Sequence, residues 1–255
     1  MTQLASYPSL TGKSVFVTGG GSGIGEEIVA SFAQQGARVA FVDIDVDASV
    51  ALCARLVRQG LPAALFRHCD IRDIEALKQT MAELAGLLGD FDVLINNAAN
   101  DQRHPTAEVS VGYWNDRIAI NQRPMFFTCQ AVFEGMKRKG GGSIINVSSI
   151  SWHIKGAGYP VYATSKAAVV GLTRGLAREY GAAGIRVNTL SPGWVMTQRQ
   201  LDHWVDEDAI KAIKENQCLP DRLMPQHIAS MALFLASDDS VMCTAQEFIV
   251  DAGWV

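Results

Sequence analysis

The sequence has little charge of either sign, few prolines and few cysteines, and each scarcity excludes a class of protein. Charged residues make up 19% of the 255 residues, and 22 basic against 26 acidic side chains leave a net charge of −4. Without a lysine-rich block, we expect no nucleic-acid partner. The five cysteines have no CxxC spacing and an odd count, so we expect buried free thiols in a reducing compartment. The low proline count and an apolar fraction of 48% argue against collagen, coiled coil and disorder.

Long hydrophobic runs and linkers are also missing. No apolar run approaches the roughly 20 residues that cross a bilayer, and the opening MTQLASYPSLTGK has no apolar core typical of a signal peptide. We therefore expect a soluble cytoplasmic protein with no membrane contact. No His or Cys pattern has metal-ligand spacing, so we expect no metal. Residues 1–255 are predicted to form a single domain, in which the polar stretch 198–222 is a substrate loop or lid.

Short β-branched or apolar runs alternate with longer helical patterns along the whole chain. The predicted strands are 14–18, 38–42, 63–68, 91–95, 143–148, 186–190 and 247–250. The predicted helices lie near 24–35, 46–59, 73–88, 112–139, 160–180 and 225–236. Most strands are apolar on both faces, as strands between two helix layers are. The pattern predicts an α/β fold with one Rossmann-type, doubly wound parallel sheet of about seven strands and helices on both faces.

A glycine-rich turn, TGGGSGIG, follows the first predicted strand and leads into a helix. Its glycines Gly19, Gly23 and Gly25 depart from the usual GxGxxG spacing. Even so, a strand, a glycine turn and a helix N-terminus together present free N–H groups to a pyrophosphate. Ser22 and Ile24 complete the predicted cofactor-binding turn.

Asp43 ends the second predicted strand and indicates which dinucleotide is bound. Its carboxylate can accept hydrogen bonds from the adenosine ribose hydroxyls and would repel a 2′-phosphate. Neither Ser22 nor Ile44 is basic, and Asp45 and Asp47 add negative charge. The predicted cofactor is therefore NAD.

Tyr162 and Lys166 stand four residues apart in YPVYATSKAAVVGL, which places both on one face of a predicted helix. A tyrosine's pKa of about 10 is too high for a general base at neutral pH. We expect the nearby ammonium to favour the phenolate and lower that pKa. Ser149 ends the preceding strand region and could hold a substrate oxygen.

These motifs occur in the same order as in the short-chain dehydrogenase/reductase family, which the chain resembles over essentially its whole length. The matching pieces are TGGGSGIG at 18–25, Asp70, NNAA at 96–99, Asn121, Ser149, the Tyr162/Lys166 pair and SPGWVMT at 191–197. The resemblance implies a catalytic tetrad of Asn121, Ser149, Tyr162 and Lys166. It also places Asp70 and Ile71 near the adenine, Asn97 near the ribose, and Val195 and Thr197 near the nicotinamide amide. Tyr162 and Lys166 are further expected cofactor contacts, with Lys166 on the nicotinamide ribose.

Two positions depart from the family pattern. Ala99 replaces the glycine of NNAG and narrows the space expected beside the nicotinamide. Pro124 follows Asn121 in a predicted helix, where a missing N–H should produce a kink. The family uses a kink at this asparagine in a proton relay, and we hypothesise that Pro124 enforces it.

The strings NAANDQRH, YWNDRIAIN, SSISWH and DAGWV are similar to those of the aldose 1-dehydrogenases that act on xylose, galactose or arabinose. This similarity implies oxidation of the C1 hydroxyl of a free sugar to an aldonolactone. The alternatives are a dehydrogenase or reductase of another alcohol or ketone (lipid, steroid, acyl carrier or polyol) and a catalytically silent NAD-binding protein. The family is usually tetrameric, which implies a homotetramer formed through helices corresponding to 112–139 and 160–180.

The substrate-binding residues are predicted from the loops that follow the strands. The loops after strands four to six carry the polar residues Asp101, Arg103, His104 and Gln198, in addition to the predicted contacts given next. The predicted substrate contacts are Asn100, Ser149, Ser151, Trp152, His153, Tyr162 and Arg199. Among them, Trp152 is expected to supply a stacking face and His153 a hydroxyl partner.

Overall fold

The structure is a computed structural model that describes residues 5–255, and it contains a seven-stranded sheet in which every pairing is parallel. The strand order is β3-β2-β1-β4-β5-β6-β7. The strands are Ser14–Thr18 (β1), Arg38–Asp43 (β2), Leu65–His68 (β3), Val93–Asn96 (β4), Gly142–Val147 (β5), Ile185–Pro192 (β6) and Glu247–Val250 (β7). The predicted fold class is confirmed. The first four residues of the predicted 1–255 domain lie outside the described residues.

Nine α-helices accompany the sheet within the described chain. They are Gly23–Gln34 (α1), Val46–Arg58 (α2), Ile74–Leu88 (α3), Val111–Asn121 (α4), Arg123–Arg138 (α5), Pro160–Tyr180 (α6), Gln198–His203 (α7), Glu207–Asn216 (α8) and Pro225–Ala236 (α9). No helix in residues 5–255 combines the length and apolar character that a membrane span requires.

The two faces of the sheet carry separate hydrophobic clusters. In β1 the alternation of side chains sends Val15 and Val17 to one cluster and Phe16 to the other. Helices α1, α2 and α9 cover the first face, where Phe32 and Leu233 are fully buried or nearly so. Helices α3, α5 and α6 cover the second face. Burial on both faces explains why the strands are almost continuously apolar.

The predicted helix over 112–139 is wrong in one respect, because the structure contains two helices there. The helix α4 ends at Asn121 and α5 begins at Arg123, with Gln122 between them at φ −132° and ψ −57°. Pro124 lies in the first turn of α5, where a missing N–H breaks no intrahelical hydrogen bond. The interruption therefore lies before Pro124 and not at it.

Three further expectations need correction. The polar segment 198–222 is not merely a loop, since it contains α7 and α8, and α8 buries Ala209 and Ile213. The strands β3 and β4 begin two residues later than predicted, at Leu65 and Val93. Of the five free thiols, only Cys69 and Cys129 are buried, and Cys218 is exposed.

The strand order reverses direction between β1 and β4, which opens a crevice at the carboxyl ends of these strands. Loops following β1, β2, β4, β5, β6 and β7 all reach this edge because the strands are parallel. Ligands of open α/β sheets bind at such a reversal.

Candidate active site

The glycine turn after β1 folds tightly because two of its glycines have no room for a side chain. A Cβ on Gly19 would lie 2.8 Å from the Cα of Ala98, and Gly19 adopts a φ of +68°. A Cβ on Gly25 would collide with the carbonyl oxygen of Gly19. The turn therefore delivers the N-terminus of α1 directly to the crevice, where Ile24 reaches the cavity wall. Backbone N–H groups at a helix N-terminus suit a pyrophosphate, so this region fits a dinucleotide.

The Asp43 carboxylate lies beside the same turn at the end of β2. Its Oδ2 accepts a hydrogen bond from the Gly21 N–H at 2.8 Å, and its Oδ1 accepts from the Asp45 N–H at 2.9 Å. These two bonds hold the carboxylate half-buried against the glycine turn. Each carboxylate oxygen can accept further bonds, which fits a ribose diol.

The residues expected near the adenine and the ribose, Asp70, Ile71 and Asn97, each contact other parts of the protein. Asp70 pairs with Arg72 at 2.6 Å, and the Arg72 guanidinium holds the pKa of that carboxyl below its usual value. The Ile71 side chain packs into the second hydrophobic cluster. Asn97 donates from Nδ2 to the carbonyl oxygen of Gly19 at 2.9 Å, which ties β4 to the glycine turn.

Ser149, Tyr162 and Lys166 come together on one wall of a cavity. Ser149 follows β5 and caps a 3₁₀ turn, Ile150–Trp152, where its Oγ accepts from the Ser151 N–H at 3.1 Å. Tyr162 lies in the first turn of α6, and Lys166 follows one turn later. The Lys166 ammonium donates to the carbonyl oxygen of Val147 at 2.8 Å and lies 5.6 Å from the Tyr162 ring centroid.

Burial shifts the pKa values of the pair in directions that differ from the sequence expectation. Desolvation raises the pKa of the Tyr162 phenol, the negative charge of Asp101 raises it further, and the Ser149 hydroxyl opposes both. Desolvation also lowers the pKa of Lys166 to about 8, because the residue is only 1% exposed. The expectation that the Lys166 ammonium lowers the pKa of Tyr162 is not supported, since burial raises the pKa of the phenol instead.

Asn121 is fully buried at the end of α4, and both of its side-chain polar atoms are engaged with one residue. Its Oδ1 accepts from the Asn100 N–H at 2.7 Å, and its Nδ2 donates to the Asn100 carbonyl oxygen at 3.0 Å. The side chain thus holds the loop after β4 in place. This geometry assigns the Asn121 amide a positioning role rather than a direct place on the cavity wall.

The cavity encloses about 440 Å³ at the carboxyl ends of the strands, a volume in the range of small-molecule sites. It receives residues from the segments that follow β4, β5, β6 and β7. Predicted residues on its wall are Ile24, Asn97, Ser149, Ser151, Tyr162, Lys166, Val195, Thr197 and Arg199. Ala99, the departure from the family pattern, lies on the same wall.

Three predicted substrate contacts lie outside the cavity wall. Asn100 is held by Asn121, and its Oδ1 accepts from the Gln102 N–H at 2.9 Å. Trp152 and His153 stack on each other with centroids 3.7 Å apart. His153 Nε2 pairs with Glu247 of β7 at 3.0 Å. The assignments of Asn100, Trp152 and His153 as substrate contacts are therefore not supported by their positions.

Several cavity residues were not selected from the sequence. They are Asp101, Arg103, Ile150, Ile154, Ala157, Tyr159, Pro192, Trp194, Gln200 and Trp254, together with backbone near Val147 and Gly193. Tyr159 could have been found from its place just before α6, three residues before Tyr162. Trp194 lies inside the motif SPGWVMT, and Trp254 follows the last strand, so both positions were available from strand ends.

Comparison with protein families and individual proteins finds reductases and dehydrogenases similar to this chain. A family model described as enoyl-(acyl carrier protein) reductase matches residues 19–255. The D-xylose 1-dehydrogenase of Caulobacter vibrioides is 48% identical over 250 residues, which cover 98% of both chains. A probable galactose dehydrogenase of Rhizobium meliloti is 44% identical over 98% of this chain and 97% of its own. The D-threitol dehydrogenase of Mycolicibacterium smegmatis is 35% identical over 96% of this chain and 94% of its own.

Solved structures agree with the observed fold. A short-chain dehydrogenase/reductase from Serratia marcescens superposes with a TM-score of 0.90 at 32% identity, covering 96% of this chain and 99% of that one. A 3-oxoacyl-[acyl-carrier protein] reductase from Brucella melitensis gives a TM-score of 0.91 at 28% identity, covering 100% and 98%.

Proposed function

Since the chain belongs to the short-chain dehydrogenase/reductase family and is an oxidoreductase, we propose that it oxidises the C1 hydroxyl of a free aldose. The product is an aldonolactone, and the hydride acceptor is NAD. D-Xylose, D-galactose and L-arabinose are the substrates to test first, because the two most similar relatives described above are named for xylose and galactose.

The observation that carries this proposal is the single cavity wall on which Ser149, Tyr162 and Lys166 meet polar groups from three loops. Asp101, Arg199 and Gln200 form a polar bridge there, with Asp101 accepting from Gln200 Nε2 at 2.6 Å and from Arg199 Nε at 3.2 Å. A sugar buries several hydroxyls, and each one left without a partner costs about 1–3 kcal/mol. Fixed donors and acceptors of this kind offset that cost.

Ser151 adds a partner that is already desolvated. Its side-chain oxygen is buried, the residue is 9% exposed, and no protein group in residues 5–255 hydrogen-bonds to that oxygen. A buried hydroxyl without a partner is unfavourable, and a ligand hydroxyl at this wall would satisfy it. Ser151 therefore serves as a substrate contact, next to Ser149 in the same turn.

The reaction follows from the positions of the three residues. The Tyr162 oxygen takes the proton of the C1 hydroxyl while Ser149 holds the same oxygen. The C1–H bond breaks with its electron pair, and the C1–O bond becomes the carbonyl of the lactone. Lys166 holds positive charge beside the phenol. When bound, the oxidised nicotinamide ring supplies the hydride acceptor and a second positive charge.

Cofactor selection is assigned to Asp43. Its carboxylate is fixed by the Gly21 and Asp45 N–H groups at the end of β2, where the adenosine ribose of a dinucleotide would lie. A 2′-phosphate would meet this charge at short range. The proposal is therefore NAD rather than NADP.

The proposed assembly is a cytoplasmic homotetramer, in line with the family resemblance. Large apolar side chains stand exposed on α4 and α5, among them Val111 and Phe126. Exposed apolar patches favour contacts between copies. Light scattering of the eluted protein, with a monomer mass of 27.5 kDa, tests this part of the proposal.

A substrate panel tests the function directly. Pentoses and hexoses, including the three named aldoses, are supplied with NAD and NADP in parallel, and reduced cofactor is followed by absorbance. We expect NAD-linked oxidation of at least one aldose and formation of its lactone. Inactivity on every aldose, together with activity on a hydrophobic alcohol or ketone, would contradict the sugar assignment and leave the dehydrogenase assignment intact.

A further inference from the structure

The cavity lining combines polar side chains with two indoles, and both kinds of residue follow the ends of strands. Asp101 follows β4, while Ser149 and Ser151 follow β5. Trp194 follows β6, and Trp254 follows β7. Because the four strands are adjacent in the order β4-β5-β6-β7, Asp101 and the two serines enter from the β4–β5 end, and the two indoles enter from the β6–β7 end together with Arg199 and Gln200.

The Trp254 ring is placed by a carboxylate that binds the backbone around it. Asp251 is buried, and its Oδ1 accepts from the Gly253 N–H at 2.8 Å. Its Oδ2 accepts from the Trp254 and Val255 N–H groups at 3.0 and 2.9 Å. The Ala252 carbonyl oxygen also accepts from the Cys218 N–H at 2.9 Å. The segment after β7 is thus held from two sides, which orients the indole at the cavity.

The Trp194 ring is held by the same polar bridge that crosses the cavity. Its Nε1 donates to Gln200 Oε1 at 2.9 Å, and Gln200 in turn donates to Asp101 at 2.6 Å. The Arg103 guanidinium lies 5.5 Å from the Trp194 ring centroid. The two indole centroids are 6.3 Å apart, the rings are tilted by 47°, and both residues line the cavity, so they form one continuous aromatic surface there.

We propose that Trp194 and Trp254 form a stacking wall that recognises the closed pyranose ring of the substrate and discriminates against acyclic polyols. This inference rests on the aldose activity proposed above. A pyranose chair presents C–H groups on one face and hydroxyls around its edge, which matches two indoles bordered by Asp101, Arg199 and Gln200. An acyclic polyol has no rigid face and loses rotational freedom when it binds.

The first arm of the experiment needs no variant. Each ring-locked 1,5-anhydroalditol lacks the C1 hydroxyl and cannot be oxidised, so it is used as a competitive inhibitor against the aldose. We pair 1,5-anhydroxylitol with xylitol for D-xylose, and 1,5-anhydrogalactitol with galactitol for D-galactose. We expect the ring-locked compound to bind at least about tenfold more tightly than its open-chain partner, a difference within the range of aromatic and rigidity effects. Equal inhibition by the two would overturn the proposal.

The second arm uses Trp254→Leu, which keeps an apolar side chain but removes the aromatic face. We expect the KM for the aldose to rise about tenfold, with kcat and the KM for NAD within about twofold of wild type. We also expect the preference for the ring-locked inhibitor to disappear. Trp254→Phe retains a ring and should restore most of the loss.

The matched control is Trp114→Leu on α4, since Trp114 is 41% exposed and does not line the cavity. It should leave the aldose KM unchanged. Thermal unfolding of all three variants identifies any variant that fails to fold. If one does, the comparison of ring-locked and open-chain inhibitors on the wild-type enzyme tests the proposal. An unchanged aldose KM in a folded Trp254→Leu enzyme would overturn the proposed stacking wall without contradicting the aldose function. A wild type that oxidises no aldose would instead contradict the proposed function.

Discussion

Burial governs the behaviour of the two ionisable residues in the active site. Tyr162 has its phenol pKa raised by desolvation, and Lys166 has its pKa lowered to about 8 by the same cause. Each shift disfavours the charged form, as burial in a low-dielectric site does. The phenolate proposed as the base therefore needs positive charge supplied beside it.

Tyr162→Phe removes the reacting oxygen and keeps the packing of the ring. We expect turnover to fall by at least about a hundredfold, in line with general-base contributions. The affinity for NAD, measured by titration of the free protein, should change little because the glycine turn and Asp43 are untouched. Substantial turnover by the Phe variant would refute the assignment of Tyr162 as the base.

The lowered pKa of Lys166 predicts how the free energy of unfolding depends on pH. Between its folded pKa of about 8 and the ordinary lysine pKa of 10.5, the unfolded chain holds a proton that the folded protein has lost. The free energy of unfolding should therefore rise with pH in this window. Lys166→Met removes this dependence, which is about 3 kcal/mol if the full window is traversed. Urea denaturation of both proteins between about pH 7.5 and 9.5 tests the difference. Parallel pH profiles for the two proteins would contradict the lowered lysine pKa.

At the scale of elements, the interruption between α4 and α5 depends on Asn121 more than on Pro124. Asn121 makes two hydrogen bonds to the backbone of Asn100, whereas Pro124 lies in the first turn of α5, where proline is tolerated. The earlier hypothesis that Pro124 enforces a kink remains testable by a paired substitution.

Pro124→Ala should change the free energy of unfolding by less than about 1 kcal/mol and retain most of the activity. Asn121→Ala should be more damaging, because the partly buried N–H and carbonyl of Asn100 lose their hydrogen-bond partners, at a cost of about 1 kcal/mol or more each. Chemical denaturation and steady-state kinetics on both variants provide the measurement. If Pro124→Ala lost as much activity as Asn121→Ala, proline would be the cause of the interruption.

Elements with local signals could be predicted from the sequence, and elements that depend on distant contacts could not. The helix α6 has its observed bounds, 160–180, because Pro160 begins it and Gly181 follows it. Helix α8 escaped prediction because only Ala209 and Ile213 face the interior in a polar segment. His153 was misplaced because its partner Glu247 is 94 residues away in the chain. The direction of a side chain on an irregular turn depends on such partners.

At the scale of the whole molecule, the seven-stranded parallel sheet was predictable because alternation of strands and helices leaves few topologies. The wall that carries Ser149, Tyr162 and Lys166 was predictable because these residues lie at a strand end or share a helix face. Trp194 and Trp254 also lie after strand ends, but their place on the cavity wall was not evident from the sequence. The Trp194 ring is held by Gln200, whose own partner Asp101 is 99 residues away in the chain.

Cofactor binding should stabilise the whole fold, and Asp43 should decide which dinucleotide does so. At about 100 times its Kd, a ligand adds about 2.7 kcal/mol to the free energy of unfolding. We expect NAD to raise the Tm more than an equal concentration of NADP, and Asp43→Ser to narrow or reverse the difference. Asp47→Ser, which removes an exposed neighbouring charge, is the control and should keep the wild-type order. A greater shift with NADP in wild type would contradict the role of Asp43.

The central claim is that hydride leaves C1 of a closed aldose at the wall formed by Ser149, Tyr162 and Lys166. The most direct measurement supplies the aldose identified by the panel with deuterium at C1 and follows the label. The account predicts that deuterium appears in the reduced nicotinamide, that the aldonolactone carries none at C1, and that Tyr162→Phe suppresses the transfer. Reduced cofactor without deuterium, or a product that keeps deuterium at C1, would contradict it.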